Sequence, residues 1–334
     1  MKINFIKIIL LSSFLLMSCE HKSNSISLFL YDSKDTFITS LSESIKEEFN
    51  NFIEVNNIFD AQESQIIQNE QIVNTLEKGS DLLIVNVVDR LAASSIIEKS
   101  EINNTPVIFF NREPLSEDLK KAKNSYYVGT SPIKEGKLQG ELIDQTFGGY
   151  DNFINSKYDK NHDGILSTII IKGSNGHQDS ELRVENALSV LNSKGYLTNV
   201  LSTVYCDWSK EKAKNEFSNL YKEFKDNIEL VISANDDMAL GAIEYIKENE
   251  IYDPNMEFKD QYFPIFGIDA TEVGKASVSN KELTGTVIND SKAQAKAIRI
   301  LAEFILKKDY NWNEFPYEFD DEKFIHLDPE IYVE

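Results

Sequence analysis

The stretch "ELVISANDDMALGA", residues 229–242, changes character at one residue. Leu230 to Ala234 is a short, mostly apolar run, Asn235 closes it, and a helical stretch follows. Outward from it the same unit recurs. "STIIIKG" (167–173), "NVLSTVYCD" (199–207) and "PIFGID" (264–269) each lead into a helical stretch, and "GTVIND" (285–290) precedes a helix expected from about 291 to 307. An earlier series begins with "SISLFLY" (25–31), followed by a helical face through Ile38, Leu41, Ile45, Phe49 and Phe52. "IEVNNIF" (53–59) alternates, a helix is expected over roughly 61–78, and "DLLIVNVV" (81–88) and "PVIFFN" (106–111) complete the series. Apolar runs bounded by turns and separated by helices describe parallel sheets covered on both faces. Two such series predict an α/β chain with two doubly wound, Rossmann-like lobes.

The bulk numbers agree. A chain of 334 residues has room for two domains, and 41% hydrophobic with 27% charged residues is a globular composition. A net charge of −21 argues against nucleic acid and against electrostatic docking on anionic lipid. No Gly-rich dinucleotide fingerprint follows the first strand, so a nicotinamide cofactor is not expected. At the N-terminus, Lys2 and Lys7 flank the start of an apolar run, "IILLSSFLLM" (8–17), too short to span a bilayer. "LMSC" then resembles a lipoprotein lipobox ending at Cys19. The expectation is a signal peptide over 1–19, a diacylated Cys19, a tether over 20–25, and an anchored protein outside the cytoplasm. An ordinary signal peptide with an incidental cysteine is the alternative. Cys206 is then left without a disulfide partner.

Ligands of open parallel sheets bind beyond the carboxyl ends of the strands. The residues there are Asp35 and Phe37 after the first strand, Asn111, then His177, Asp179 and Arg183 in "SNGHQDSELR", Trp208, Asn235, Asp269 and Asn289. They include no Ser or Cys nucleophile with a base beside it, and no Lys. They suit a small neutral polyol, whose hydroxyls both donate and accept: Asp accepts only, Arg donates only, Asn does both. Phe37 and Trp208 offer flat faces to the C–H side of a sugar ring. Taken singly, each residue has a plainer reading: Asp and Asn as helix caps or turn residues, Phe37 and Trp208 as core, His177 at a helix start, Arg183 in a surface ion pair. Asp179 precedes Arg183 by four residues and is expected to be held ionised by it.

A second motif is "DKNHDGILSTII" (159–170), where Asp159, Asn161, Asp163 and Gly164 match the first half of an EF-hand loop. The twelfth position is Ile170 and not the bidentate Glu. A metal-free turn held by Asx hydrogen bonds is the alternative.

The blocks "YDSKDTF", "PVIFFNREP", "YYVGT", "KGSNGHQDSELR", "CDW", "ELVISANDDMALGA", "FPIFGIDA" and "LTGTVINDSKAQAKA" resemble the galactose/glucose-binding periplasmic proteins of ABC importers over about residues 25–310. The resemblance implies a type I periplasmic binding protein fold of two lobes joined by three hinge crossings. It divides the chain into 26–129 plus 290–325, and 130–289 plus 326–334. It carries the ten strand-end residues above over to a sugar site, with the Asp35 position meeting the 4-hydroxyl of either epimer. It implies D-glucose or D-galactose as ligand, importer permease subunits as partner, a chemoreceptor as a second output, and a monomer. It also implies a structural Ca²⁺ held by Asp159, Asn161, Asp163, the Ile165 carbonyl, Ser167 and the distant Glu229; Ser167 stands where the family typically has Gln. The rival readings are a glycosidase using Asp35, Asp179 or Asp269, the effector domain of a repressor, and a binding protein for ribose or xylose. The acidic segment "YDPNMEFKDQY" (252–262) is read as a surface insertion.

Overall fold

Each apolar run forms a strand because its branched and aromatic side chains are covered from both sides by the helices between the runs. The computed structural model describes residues 25–50, 52–307, 311–320 and 323–334; the expected export signal and Cys19 lie outside the described residues. The first lobe contains β1 (Ile26–Leu30), β2 (Val55–Asp60), β3 (Leu82–Val85), β4 (Val107–Phe110) and β5 (Ser125–Thr130). The second contains β6 (Ile165–Lys172), β7 (Leu197–Tyr205), β8 (Leu230–Ser233), β9 (Ile265–Asp269) and β10 (Gly285–Ile288). Two late strands, β11 (Phe324–Leu327) and β12 (Glu330–Tyr332), complete one sheet each.

The sheets run β2-β1-β3-β4-β5-β11 and β7-β6-β8-β9-β10-β12. Neighbours are parallel except β12, which is antiparallel to β10. Both sheets reverse strand order in the same way, at β1/β3 and at β6/β8, so each lobe has a switch point at its carboxyl edge. β1, β3 and β4 are buried throughout, whereas the edge strands β2 and β7 keep exposed positions. That explains why β2 alternates in sequence while the central strands are unbroken apolar runs.

Three crossings join the lobes. The helix Pro132–Phe147 leaves β5 and packs on the helix Gln178–Ser193 and on β9 and β10. The helix Ser291–Leu306, capped by Asp290, leaves β10 and packs on the helix Thr36–Phe49. The third crossing lies between β11 and β12. Two expected divisions need correction. Leu327 pairs with Thr130 across β11 and β5, so the first lobe's sheet runs through Thr130 and Leu327 and not only to 129 and 325. The strands that periodicity missed, β5, β11 and β12, are short or mix polar and apolar residues.

The segment 252–262 is more than a surface insertion. Phe258 is fully buried and packs against Tyr252 and Tyr262, and Asp260 accepts a hydrogen bond from the Tyr158 hydroxyl (3.0 Å) and pairs with Lys157 (2.8 Å). The segment therefore braces the residues that lead into the 159–165 loop. Among the described residues no helix is long and apolar enough to cross a membrane.

Glycine sets the distance between the helices Pro132–Phe147 and Gln178–Ser193. A Cβ on Gly136 would stand 2.2 Å from the Arg183 carbonyl oxygen, a backbone atom of the facing helix. Gly136→Ala gains helix propensity of about 1 kcal/mol, yet forces the two helices apart. The expected result is a net destabilisation of about 1–3 kcal/mol by urea denaturation. A variant of parental stability would show that the helices do not approach this closely.

Candidate functional site

The loops after β1, β4, β6, β7, β8, β9 and β10 meet between the lobes in a cleft of about 330 Å³. Its wall brings together Asp35, Phe37, Asn111, His177, Asp179, Arg183, Trp208, Asn235, Asp269 and Asn289, all ten of the strand-end residues singled out in the sequence. Tyr31 and Arg112 complete it.

On the first lobe, Asp35 caps the helix Thr36–Phe49: its Oδ1 accepts from the Ile38 amide at 3.0 Å and its Oδ2 from the Tyr31 hydroxyl. Burial and the Asp35 carboxylate push the Tyr31 phenol up, so it remains a hydroxyl donor. The Arg112 guanidinium lies 3.5 Å over the Tyr31 ring and donates to the Val88 carbonyl at 2.6 Å. Tyr31 and Arg112 escaped the sequence reading because each looks like a core or surface residue by type. Their only signal is position, directly after a strand.

On the second lobe, Arg183 is the most constrained group. Its Nε donates to Glu135 Oε2 at 2.7 Å, its Nη1 to the Ala234 carbonyl at 2.9 Å, and its Nη2 to Asp269 Oδ1 at 3.4 Å. Among the described residues Arg183 forms no ion pair with Asp179, so the expected i,i+4 pairing is corrected. The reason is burial: Glu135 is 1% exposed, and its carboxylate takes the guanidinium that it needs. Burial pushes the Glu135 and Asp269 carboxyls up, and Arg183 pulls both back. Glu135 lies on a helix with no strand-end signal, so sequence pattern could not mark it.

Burial pushes the His177 imidazole down to about 4, outweighing Asp179, so it is neutral at pH 7. Its Nδ1, like Trp208 Nε1, is buried with no hydrogen-bond partner among the described residues. The two rings meet edge-on at 5.1 Å. The indole occupies space that a Cβ on Gly173 would fill at 2.3 Å. Asn235 caps the helix Asp236–Asn249 by accepting from the Met238 amide at 2.9 Å, which leaves its NH₂ for the cleft. Asn289 lies where two crossings meet: its Oδ1 accepts from Thr130 Oγ1 (2.7 Å) and Gln294 Nε2 (2.6 Å), and its Nδ2 donates to Asp269 (3.3 Å). Asn111, Trp208 and Asp269 have positive φ (59°, 62° and 107°), a conformation that costs about 1–3 kcal/mol each and that gathers at ligand sites.

Residues 26–309 match the family model described as periplasmic binding protein domain. The chain belongs to that family. Among its periplasmic binding protein relatives, the D-galactose/methyl-galactoside binding periplasmic protein of Haemophilus influenzae is 35% identical over 277 residues, covering 82% of this chain and 79% of that protein. The ribose import binding protein of Bacillus subtilis is 24% identical over 315 residues, 90% and 92% of the two chains. A solved ABC transporter solute binding protein from Actinobacillus succinogenes, with bound D-allose, superposes with a TM-score of 0.75 over 93% of this chain and 97% of its own; at 18% identity this likeness concerns the fold. The family and the two-lobed fold implied by the sequence blocks are thus the ones found.

The 159–165 loop folds around its own side chains. Asp159 accepts from the Asp163 and Gly164 amides (3.2 and 3.1 Å), and Asp163 from the Ile165 amide (2.7 Å). Glu229, from just before β8, closes against it: its Oε1 accepts from the Lys160 amide (2.7 Å) and its Oε2 from the Ser167 amide (2.8 Å). Burial pushes the Glu229 carboxyl up, these amides oppose, and Asp159 and Asp163 add to the rise. An all-oxygen set with mutually repelling carboxylates fits a hard cation in its chemistry. Among the described residues, however, no group of three or more His, Cys, Asp or Glu side chains is gathered as a metal site. The loop as it stands is held by Asx-type hydrogen bonds.

Removing one partner of a buried ion pair costs about 3–5 kcal/mol, because the other charge is left in low dielectric. Glu135→Ala is expected to lose stability of that order in urea melts. A loss under 1 kcal/mol would show that Arg183 does not depend on Glu135.

Proposed function

We propose that the cleft binds D-galactose or D-glucose, and that closure of the lobes around the sugar delivers it to the permease of an ABC importer. The observation that carries this reading is the convergence of ten polar and aromatic strand-end residues, from both lobes, on one cleft. Asp35, Asp179 and Asp269 accept; Arg183 donates; Asn111, Asn235 and Asn289 do both; Phe37 and Trp208 supply apolar faces. Neutral His177 and Trp208 each bring a buried polar atom without a partner among the described residues, which a sugar hydroxyl would pair. The name of the Haemophilus influenzae relative supports galactose, while ribose- and allose-binding relatives supply the competing sugars.

The first lobe offers Asp35, Phe37 and Asn111, and the second lobe with its crossing offers the other seven, so neither lobe alone satisfies the sugar. The sugar therefore stabilises the closed form by contacts that the open form lacks, and no bond in it changes. Affinity near micromolar corresponds to about −8 kcal/mol. Calorimetry on sugar-stripped protein with galactose, glucose, ribose and allose tests the ligand: tightest binding to galactose or glucose is expected, and preference for ribose or allose would replace this reading. Trp208→Ala and Asp35→Ala should each weaken binding more than tenfold. Unchanged isotherms for both would remove these residues from the site.

The 159–167 loop with Glu229 is proposed to take a calcium ion that staples the second lobe, through Asp159, Asn161, Asp163, the Ile165 carbonyl, Ser167 and Glu229. A ligand bound only by the folded state raises the melting temperature. Millimolar calcium should therefore raise it, chelation should lower it, and Glu229→Gln should abolish the response. An absent response in the parent protein would leave the loop a metal-free turn.

A further inference from the structure

His326 lies in β11, the strand from which the third crossing leaves, and both nitrogens of its ring meet a carboxylate. Nε2 stands 2.9 Å from Glu113 Oε2, and Nδ1 stands 2.9 Å from Asp320 Oδ2. A carboxylate only accepts, and a neutral imidazole carries a single N–H. Both contacts are hydrogen bonds only when the ring holds two protons, so the geometry calls for an imidazolium. Burial pushes the imidazole down, but the hydrogen bonds and charges of Glu113 and Asp320 outweigh it and leave it above its ordinary value.

Two routes join this ring to the cleft. Glu113 directly follows Asn111 and Arg112, two residues of the cleft wall, and its carbonyl accepts from Arg90 Nε at 3.0 Å. Tyr127, from β5, packs on the His326 ring at 5.5 Å, and its hydroxyl donates to the Asn111 carbonyl at 2.8 Å. One imidazole therefore supports the loop that presents Asn111 and Arg112, although His326 is not itself in the cleft wall.

We propose that protonated His326 is a positioning residue for the cleft: it fixes the 111–113 loop in its sugar-binding arrangement, and losing its proton weakens the sugar. The inference rests on the hexose reading of the cleft and adds to it a dependence on pH.

The titratable groups that face the ring are Glu113 from the loop after β4, Asp320 from the segment before β11, and Tyr127 from β5. Burial keeps Tyr127 a neutral phenol. On the strand of His326 and just beyond it, Lys323 donates to the Lys123 carbonyl and Asp328 pairs with Lys134. A neutral ring can donate to one carboxylate only. Asp320 is exposed and can turn to water, so the remaining bond goes to half-buried Glu113, stripped of the attraction between opposite charges. Because folding raises the imidazole, its contribution is complete below the ordinary value and is lost as pH rises through the folded one.

The test is calorimetry with galactose and glucose on the sugar-stripped full chain from pH 6 to pH 9, alongside NMR titration of its four histidines. Parent affinity is expected to fall at least threefold over this range, with its midpoint at the His326 titration and above 6.5. His326→Gln keeps a donor without the charge, so at pH 6 it should show the affinity that the parent has at pH 9. Glu113→Gln should lower the His326 midpoint and flatten the affinity profile. Asp236, pushed up to about 7 by burial, titrates in the same window; His326→Gln retains it, so only the slope that this variant removes belongs to His326. A slope that survives His326→Gln in full, with hexose binding intact, would overturn the positioning role and leave the hexose reading standing. So would a His326 midpoint below 6.5, or a variant that loses the same factor at every pH. Absence of any hexose binding would overturn both readings.

Discussion

A guanidinium cannot be buried alone, and Arg183 is only 5% exposed. Its three hydrogen-bonding directions reach Glu135 on the first crossing helix, the Ala234 carbonyl after β8 and Asp269 at the end of β9. This cluster ties the helix Pro132–Phe147 to the second lobe and aligns two strand ends beneath the cleft. Gly136 makes the arrangement accessible, because any side chain there would collide with the backbone of Arg183 itself. The hinge and the floor of the cleft are therefore one piece of structure, held by one buried guanidinium and its two carboxylate partners.

The same economy appears at Asn289. Its side chain joins Thr130 on one crossing, Gln294 on the next, and Asp269 in the cleft wall. A ligand that contacts Asp269 or Asn289 thereby acts on groups that also define how the crossings meet. In the proposed closure, the ligand would shift the open–closed balance only through contacts that differ between the states. The positive φ values at Asn111, Trp208 and Asp269 have a similar sense. They aim strand-end side chains into the cleft at a local cost that the rest of the fold sustains.

Much of this was legible beforehand. Central strands announce themselves as unbroken apolar runs, because both faces of a parallel sheet are covered. The polar residue that ends each run is readable because the chain must turn there, at the edge where ligands bind. β5, "SYYVGT", was missed because polar and apolar residues mix along it. The Asp179–Arg183 pairing failed for a different reason. The i,i+4 rule describes neighbours on a solvated helix face, and Arg183 points into a helix–helix contact. The segment 252–262 looked like surface because its charges dominate the text, yet Phe258 anchors it completely.

By itself, the sequence determined the two strand–helix series, through periodicity, and the ten residues that line the cleft, through what must stand at a strand end; the family was legible only in the resemblance of its sequence blocks. Only the tertiary structure decided the partners. Glu135 finds Arg183 from 48 residues away, and Tyr31 and Arg112 stack across two strand ends. A buried charge is matched by whatever group the fold brings within reach, and distance along the chain carries no record of that.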